Sequence, residues 1–295
     1  MIRSRVKSYL KRIFLKEVNQ EKPIDKILLY KSKGSIPWSE GYNEYKWQSI
    51  NAAISNTDFL NNVAKKILPQ QFGQYLDERI VEYSWIFSRK LSWRGKFLDA
   101  GSTFNFESII SHKFLAHSQS YIYTYYPEQN NFSRRRISYI YGDLRYLPFR
   151  ESFFDTVVCQ STLEHIDMDN SMYGYELSNN QAKGKSYEYL TVVEELVRVT
   201  RSAGTILLTF PFGKFENHGF FQQFDSEMVD RMLSLISRKC NVSETYFKYL
   251  QTGWIFSNRQ ECCFAESYNP HTGIGKGNDN AAHSRAICCL EITKN

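Results

Sequence analysis

The 295-residue sequence predicts an α/β protein that is built on a mostly parallel β-sheet. Phe153–Gln160 is short, apolar and rich in β-branched residues, without helical periodicity, as expected for a central strand that is covered on both faces. Lys185–Thr200 carries an apolar helical face and ends at a Ser-Ala-Gly stop signal, and the apolar strand Thr205–Phe210 follows it directly. Strands that alternate with helices in this way form parallel sheets.

Several of the predicted elements have a signal at one of their ends. Pro127 ends the strand that begins at Ser120, because proline lacks the N–H group that a strand ladder needs. Asp225 is a typical N-cap for a helix that begins at Ser226. In chain order, the predicted elements are helices at 51–67 and 70–86, a strand and tight turn at 96–101, a helix at 106–117, strands at 120–126, 137–141 and 153–160, a helix at 185–200, a strand at 205–210, a helix at 226–237, and two last strands at 246–250 and 285–292.

These elements divide the chain into three parts. Residues 1–20 form a basic amphipathic segment, residues 21–95 form a mostly helical extension that can cap a site, and residues 96–295 contain the strands. A chain of this length, with 42% hydrophobic and 16% aromatic residues, can bury a substantial core.

The N-terminal segment has an uneven charge. Its six cations precede the first acid of the chain, Glu17, and since the whole chain carries a net charge of +6, the remainder sums to zero. Apolar residues lie at helical spacing opposite much of that charge, which is typical of a helix on an anionic membrane surface. The alternatives are a helix that packs on the fold or on a second subunit, and a cleaved targeting peptide.

Composition also limits the classes of partner. Because the charge outside the N-terminal segment is balanced, we expect no nucleic-acid partner. The six cysteines contain no C-x-x-C pair, which predicts free thiols in a reducing compartment and no metal site. No apolar run approaches the roughly 20 residues of a membrane span. We therefore expect a cytoplasmic protein, at the inner face of the membrane if residues 1–16 contact lipid.

Polar side chains cluster where the predicted central strand ends. Gln160, Ser161, Glu164 and His165 follow the strand directly. Ligands of α/β proteins bind at the carboxyl edge of the sheet, so this cluster predicts a site there. Gly101, at the turn after the first strand, lets the backbone approach the same ligand.

Four longer segments carry a family resemblance. They are G-D-L-R-Y-L-P-F, S-F-F-D-T-V-V-C-Q-S-T-L-E-H-I, E-E-L-V-R-V-T-R-S-A-G-T-I-L-L-T-F-P-F-G and the late S-R-A-I-C-C-L-E-I. Their order resembles that of the class I S-adenosylmethionine-dependent methyltransferases of type 11, over roughly Lys96 to Ile292. Residues 216–225, together with Trp254, resemble the variant found in bacterial methyltransferases of polysaccharide synthesis.

The resemblance implies a Rossmann-like sheet of seven strands with helices on both faces. It also implies that S-adenosylmethionine lies across the carboxyl ends of the first four strands. Asp143 matches the acid that contacts the adenine amino group, and Leu144 flanks the ring. The implied contacts of the remaining cofactor part come from Asp99, Gly101, Ser102 and Thr103 in the loop after the first strand and from Gln160 and Ser161 beside the methionine part.

Two parts of the sequence depart from the family pattern. The loop usually reads D-x-G-x-G-x-G, but Thr103 and Asn105 stand at the later glycines. The second strand usually ends in an acid that holds the ribose hydroxyl groups, and here the first acid is Glu128, beyond Pro127. Glu128 either takes that role or the contact is absent.

The cluster after the central strand suits methyl transfer to a hydroxyl group. The sulfonium of the cofactor carries an activated methyl group, so the protein must hold the acceptor in line and remove its proton. His165, next to Glu164, is the candidate base because its ordinary pKa is near neutrality. The alternative is that both residues only hold the loop. His218, Phe221 and Trp254 are candidates for the acceptor pocket, and core packing is their alternative role.

We therefore predict methyl transfer from S-adenosylmethionine to a saccharide or another small acceptor, at oxygen, in the synthesis of cell-envelope glycans. The alternative is a catalytically inactive protein of the same fold that binds or scaffolds at the membrane surface. The sequence leaves the oligomeric state open.

Overall fold

The computed structural model describes residues 25–89, 91, 94–171 and 184–295. The predicted basic segment at residues 1–20 lies outside the described residues.

Among the described residues, four helices precede the sheet: α1 (Lys26–Ser32), α2 (Tyr42–Ser55), α3 (Thr57–Ala64) and α4 (Arg79–Ser88). The helix predicted at 51–67 is divided at Asn56, whose side chain caps α3 by accepting a hydrogen bond from the Phe59 N–H at 3.0 Å. The helix predicted at 70–86 begins only at Arg79, because Gln71, Gly73 and Tyr75 all have positive φ angles that no helix tolerates.

In the described part of the chain after α4, ten strands and four further α-helices follow. In chain order they are β1 (Gly95–Ala100), α5 (Glu107–Ile110), β2 (Ser118–Thr124), β3 (Ile137–Tyr141), β4 (Phe154–Gln160), α6 (Tyr189–Val199), β5 (Thr200–Pro211), β6 (Glu216–Asn217), β7 (Gln222–Gln223), α7 (Ser226–Ile236), β8 (Cys240–Leu250), β9 (Gly253–Ser257), α8 (Arg259–Cys262) and β10 (Ala286–Lys294).

The main sheet has eight strands in the order β3-β2-β1-β4-β5-β10-β8-β9. The first five are parallel, and β10 runs antiparallel to both of its neighbours. The predicted Rossmann-like α/β fold is confirmed, but with eight strands rather than seven. The additional edge strand β9 forms a hairpin with β8, and its first residue, Gly253, has a φ of +112° where the backbone of Phe72 approaches closely.

The helix predicted at 106–117 is much shorter than expected. Only α5 is helical, and turns with i→i−3 hydrogen bonds continue the chain to β2. His112 and Phe114 leave the helical path because both pack against Phe87 of α4; the His112 and Phe87 ring centroids lie 4.5 Å apart. The β2–β3 crossover contains only a short 3-10 helix, Ser133–Arg135, and a groove of about 950 Å³ lies beside these two strands, away from their carboxyl ends.

Two hydrophobic cores cover the two faces of the sheet. Alternate strand residues such as Leu98 and Val157 pack against α6 and α7, whereas Phe97 and Val158 pack against the helices that precede the sheet. Helix α4 is the centre of that second layer, since every residue from Ile80 to Ser88 is buried. The N-terminal helices therefore form one layer of the α/β sandwich. Among the described residues, no helix has the length and apolar character that a membrane span requires.

Candidate functional site

A cavity of about 510 Å³ lies at the carboxyl ends of β1 to β4. Its volume is within the range of sites for small molecules. Seven residues that the sequence predicted for the site line it: Gly101, Thr103, Glu128, Asp143, Leu144, Ser161 and His165. The other described residues of its wall are Arg79, Tyr123, Thr124, Tyr125, Tyr126, Gly142, Arg145, Thr162, Ile166, Asp167, Met168 and Asn170.

Asp99 shapes the loop after β1 from below. Its buried carboxylate accepts hydrogen bonds from the backbone N–H groups of Thr103 at 3.1 Å and Phe104 at 2.8 Å. Burial raises the pKa of Asp99 to about 7, although these bonds oppose the shift. Asp99 does not line the cavity, so its role in the site is to fix the loop.

Gly101 brings two of the loops into contact. It has a φ of +123°, and a Cβ atom there would lie 2.1 Å from Oγ1 of Thr162, in the loop after β4. A side chain at this position would separate the loops after β1 and β4. The absent side chain therefore sets the shape of the cavity floor.

Glu128 folds back from beyond Pro127 onto the loop after β1. Its Oε2 accepts hydrogen bonds from the Ser102 hydroxyl and the Asn105 amide, both at 2.8 Å. Its Oε1 accepts a hydrogen bond from the Thr124 hydroxyl at 3.2 Å. Asn105 thus helps to hold Glu128 in place. In the family pattern, a glycine is usual at the position of Asn105, and the acid is usual at the end of the second strand.

Asp143 lies at the far end of the cavity, after β3. Its carboxylate accepts hydrogen bonds from the backbone N–H, Nε and Nη2 of Arg145, at distances between 2.6 and 3.1 Å. Because Nε contacts both oxygens, Arg145 makes four contacts with the carboxylate, two to each oxygen, yet 20% of the Asp143 side chain remains exposed in the cavity wall. Leu144 is buried beside it.

A buried carboxylate that sequence analysis missed, that of Glu82, lies under the exit of β4. Four donors converge on it: Arg79 Nη1 at 3.0 Å, Gln160 Nε2 at 3.2 Å, Ser161 Oγ at 2.5 Å and Thr209 Oγ1 at 2.6 Å. Glu82 therefore joins α4 to the ends of β4 and β5. The available signal was the pair Arg79 and Glu82, two charges three residues apart at the start of an otherwise apolar helix.

Glu164 and His165 occupy a short turn after β4 and differ in their surroundings. Glu164 is buried, its Oε2 has no hydrogen-bond partner among the described residues, and burial raises its pKa to about 8. His165 donates from Nδ1 to the Phe220 carbonyl at 2.7 Å, since a carbonyl can only accept. Burial lowers the pKa of His165 to about 4. The ring is therefore neutral at pH 7, with its lone pair on Nε2.

The structure does not bring the three predicted acceptor residues into the wall of the cavity. His218 and Phe221 stack with ring centroids 4.6 Å apart, in and beside the β6–β7 hairpin. Phe221 is also 6.4 Å from the His165 ring, so this pair borders the site. Trp254 lies in the core of the N-terminal helices and donates its indole N–H to the Leu76 carbonyl at 3.0 Å.

One family model matches part of the sequence, and several solved structures are similar to the chain. The family model described as a methyltransferase domain matches residues 110–208, the part of the chain that contains β2 to β4 and most of β5. No curated protein matches the sequence. The chain is similar to the solved structure of the YcgJ protein from Bacillus subtilis, with 12% identity, 70% of this chain and 94% of that chain covered, and a TM-score of 0.42.

Two further solved structures are similar at the same level. A S-adenosylmethionine-dependent methyltransferase from Methanosarcina mazei has 12% identity, with 70% of this chain and 96% of that chain covered and a TM-score of 0.40. The N-methyltransferase NodS from Bradyrhizobium japonicum has 10% identity, with 68% and 85% covered and a TM-score of 0.34.

The family match and the strand order support the predicted resemblance to class I methyltransferases, and residues 110–208 match a methyltransferase domain. They support S-adenosylmethionine-dependent methyl transfer as the class of activity.

Proposed function

We propose that this protein transfers a methyl group from S-adenosylmethionine to a hydroxyl group of a small acceptor. The observation that carries the proposal is the single cavity across the ends of β1 to β4, with Asp143 at one end and Ser161 and His165 at the other. The acceptor that we propose is a saccharide used in the synthesis of cell-envelope glycans. Tyr125 and Tyr126 support this class, since both line the cavity, are about half exposed and offer ring faces on which a sugar can pack.

The residues present fit the methyl donor. The exposed part of the Asp143 carboxylate suits the adenine amino group as an acceptor, and Leu144 offers an apolar contact to the ring. Glu128, held from the loop after β1, suits the ribose hydroxyl groups. Gly101 and Ser161 leave space for the methionine part. When bound, the donor supplies an electrophilic methyl group on its sulfonium.

His165 is the base in the proposed mechanism. The Phe220 carbonyl fixes the tautomer with hydrogen on Nδ1, so Nε2 accepts the hydroxyl proton as the acceptor oxygen attacks. Its low pKa keeps the ring neutral throughout the physiological range. Glu164 does not line the cavity, so we assign it a positioning role in the turn that carries His165.

Calorimetric titration with S-adenosylmethionine and S-adenosylhomocysteine tests the first step. We expect binding of both ligands, and Asp143→Ala should weaken both by roughly tenfold because a hydrogen bond to a charged group is lost. Absence of binding at millimolar concentration would overturn the enzymatic proposal and favour a catalytically inactive binding module. Unchanged affinity in the variant would reject the adenine contact.

Transfer of a radiolabelled methyl group to a panel of sugars and nucleotide sugars tests the acceptor. His165→Ala should abolish turnover while leaving S-adenosylhomocysteine affinity unchanged. His117→Ala, on an exposed residue outside the cavity, is the matched control and should keep full activity. Labelling of amines but not of sugars would reject the saccharide.

We also propose that residues 1–16 contact an anionic membrane, on the basis of their charge and apolar spacing. Flotation with anionic liposomes should recover the full chain, and the variant that lacks residues 1–16 should stay unbound. Equal flotation of the two proteins would reject this contact.

A further inference from the structure

Arg79, the first residue of α4, presents unused hydrogen-bond donors to the cavity. Its guanidinium donates from Nη1 to Glu82, and its Nε and Nη2 have no partner among the described residues. Burial by itself lowers the pKa of Arg79. The nearby carboxylates of Glu82 and Glu78 raise it by more, so the net pKa lies above its ordinary value. With 27% of its side chain exposed, Arg79 is a permanent cation that faces the cavity.

The second arginine of the described cavity wall is already occupied. Arg145 donates from Nε and Nη2 to Asp143 and from Nη1 to Glu188 at 3.2 Å. An anionic group that enters the cavity therefore meets its guanidinium partner at Arg79.

The sheet order places Arg79 and Asp143 at opposite ends of the cavity. Glu82 ties Arg79 to Ser161 and Thr209, which follow β4 and end β5, whereas Asp143 follows β3. These strands are separated by β2 and β1 in the sheet. A ligand whose adenine lies at Asp143 thus extends its amino-acid end towards Arg79.

We infer that Arg79 binds the α-carboxylate of the methionine part of the methyl donor through its Nε and Nη2 groups. A planar guanidinium matches a carboxylate with two parallel hydrogen bonds, which a lysine cannot reproduce. Glu82 holds Nη1 in place, so the remaining donors are oriented before the ligand arrives. This inference rests on the proposed function, because it requires that the cavity binds the methyl donor.

The test compares ligands with and without the carboxylate. Calorimetric titration uses S-adenosylhomocysteine, its decarboxylated analogue, and methylthioadenosine, which lacks the whole amino-acid part. Wild-type protein should bind the decarboxylated analogue roughly 10- to 100-fold more weakly than S-adenosylhomocysteine, as expected for a lost charge-assisted pair. Arg79→Gln should weaken S-adenosylhomocysteine to that level and leave both other ligands unchanged.

Arg145→Gln is the matched control, since it removes an arginine at the adenine end and should weaken all three ligands alike. Arg79→Lys should give an intermediate loss for S-adenosylhomocysteine alone. If Arg79→Gln fails to fold, as judged by its thermal melt, Arg79→Lys and the wild-type ligand comparison still decide.

The outcomes separate this inference from the proposed function. Binding of none of the three ligands to wild-type protein would overturn both. Equal wild-type affinity for S-adenosylhomocysteine and its decarboxylated analogue would overturn the role of Arg79 alone. The role of Arg79 would also be overturned if Arg79→Gln still bound S-adenosylhomocysteine more tightly than its decarboxylated analogue. In that case, a raised KM for the acceptor in the variant would assign Arg79 to an anionic group of the acceptor.

Discussion

Two buried carboxyl groups near the exit of β4 illustrate how neighbours decide the role of a residue. Glu82 accepts hydrogen bonds from four side chains, one of them the guanidinium of Arg79. Glu164 is equally buried, but its Oε2 has no partner among the described residues. Burial of a carboxylate without donors favours the neutral form, so the pKa of Glu164 rises to about 8. Glu82 therefore links elements, while Glu164 is a neutral group at pH 7.

Glu164→Gln should become more stable relative to wild type as the pH rises. The pKa of Glu164 is raised from 4.5 to about 8, so the folded state binds more protons than the unfolded state between these values. The contribution of protonated Glu164 to the wild-type free energy of unfolding is fully present below pH 4.5 and is lost as the pH rises through 8. The free energy of unfolding of the variant minus that of wild type should therefore be roughly 2–4 kcal/mol larger above pH 8 than at acidic pH.

Urea denaturation at acidic, neutral and alkaline pH measures this change. Glu151→Gln, on an exposed residue, is the control and should follow wild type at every pH. A difference between Glu164→Gln and wild type that does not vary with pH would contradict the raised pKa of Glu164.

His165 should give methyl transfer an unusually acidic lower limit. The base must be neutral to accept a proton, and the pKa of His165 is lowered from 6.5 to about 4. Activity should therefore persist below pH 6 and fall only as the pH approaches 4. The pH profile of kcat/KM measures this limit, with circular dichroism to confirm that the protein stays folded. An acid limb near pH 6.5 would show that another group acts as the base.

At the level of elements, the site depends on how closely the loops after the strands approach one another. Thr162 stands against Gly101, and Glu128 bridges the ends of β1 and β2 through Ser102 and Thr124. The first contact needs the glycine at position 101, whereas the second uses side chains and does not need the later glycines of the usual loop. Side-chain hydrogen bonds thus hold the loop after β1 at the edge of the cavity.

Gly101→Ala tests this approach of two loops. Its Cβ would lie 2.1 Å from Thr162 Oγ1, and φ at this position is +123°. We expect a loss of about 2–4 kcal/mol of unfolding free energy, from backbone strain and overpacking together. Gly34→Ala, with a φ of +85° and no atom within 4 Å of the new Cβ, is the control for strain alone.

Urea denaturation and S-adenosylhomocysteine affinity measure the effect of Gly101→Ala. Affinity should fall by at least about tenfold, because the cavity floor must move. Equal losses of stability in the two alanine variants, with affinity retained in both, would show that the contact with Thr162 has no role in the site.

The sequence predicts the parts of the site that depend on strand ends and misses those that depend on packing between layers. Ser161 lines the cavity because it follows the buried strand β4 at the carboxyl edge of the sheet, and Asp143, which the family resemblance indicated, lines it after the edge strand β3. Arg79 and Glu82 escaped prediction, since their role appears only when α4 packs against the sheet. Trp254 was expected near the acceptor, but the unpredicted strand β9 carries it into the other core.

At the scale of the whole molecule, the N-terminal helices and the sheet share one core. Side chains of α4 pack with Leu207 and Ile287 of the sheet, and polar contacts also join the helical part to the end of the chain. Among them are the pair of His283 Nδ1 and Glu78 Oε1 at 3.0 Å and the hydrogen bond from the Trp38 indole to the Ala282 carbonyl at 2.6 Å. Because of these contacts, we expect that the chain does not separate into independently folding parts at residue 95.

A fragment that spans residues 95–295 should therefore fail to fold. Removing α1 to α4 exposes one full face of the sheet, including Phe97, Val158 and Leu207, and removes the partners of Ser161 and Thr209. We expect the fragment to aggregate or to bind a hydrophobic dye, whereas a fragment of residues 25–295 should melt cooperatively. Circular dichroism and dye fluorescence of the two fragments measure this. A cooperative melt of the shorter fragment, with retained S-adenosylhomocysteine binding, would instead show that the strand-containing part is an independent domain, as the division predicted from the sequence implies.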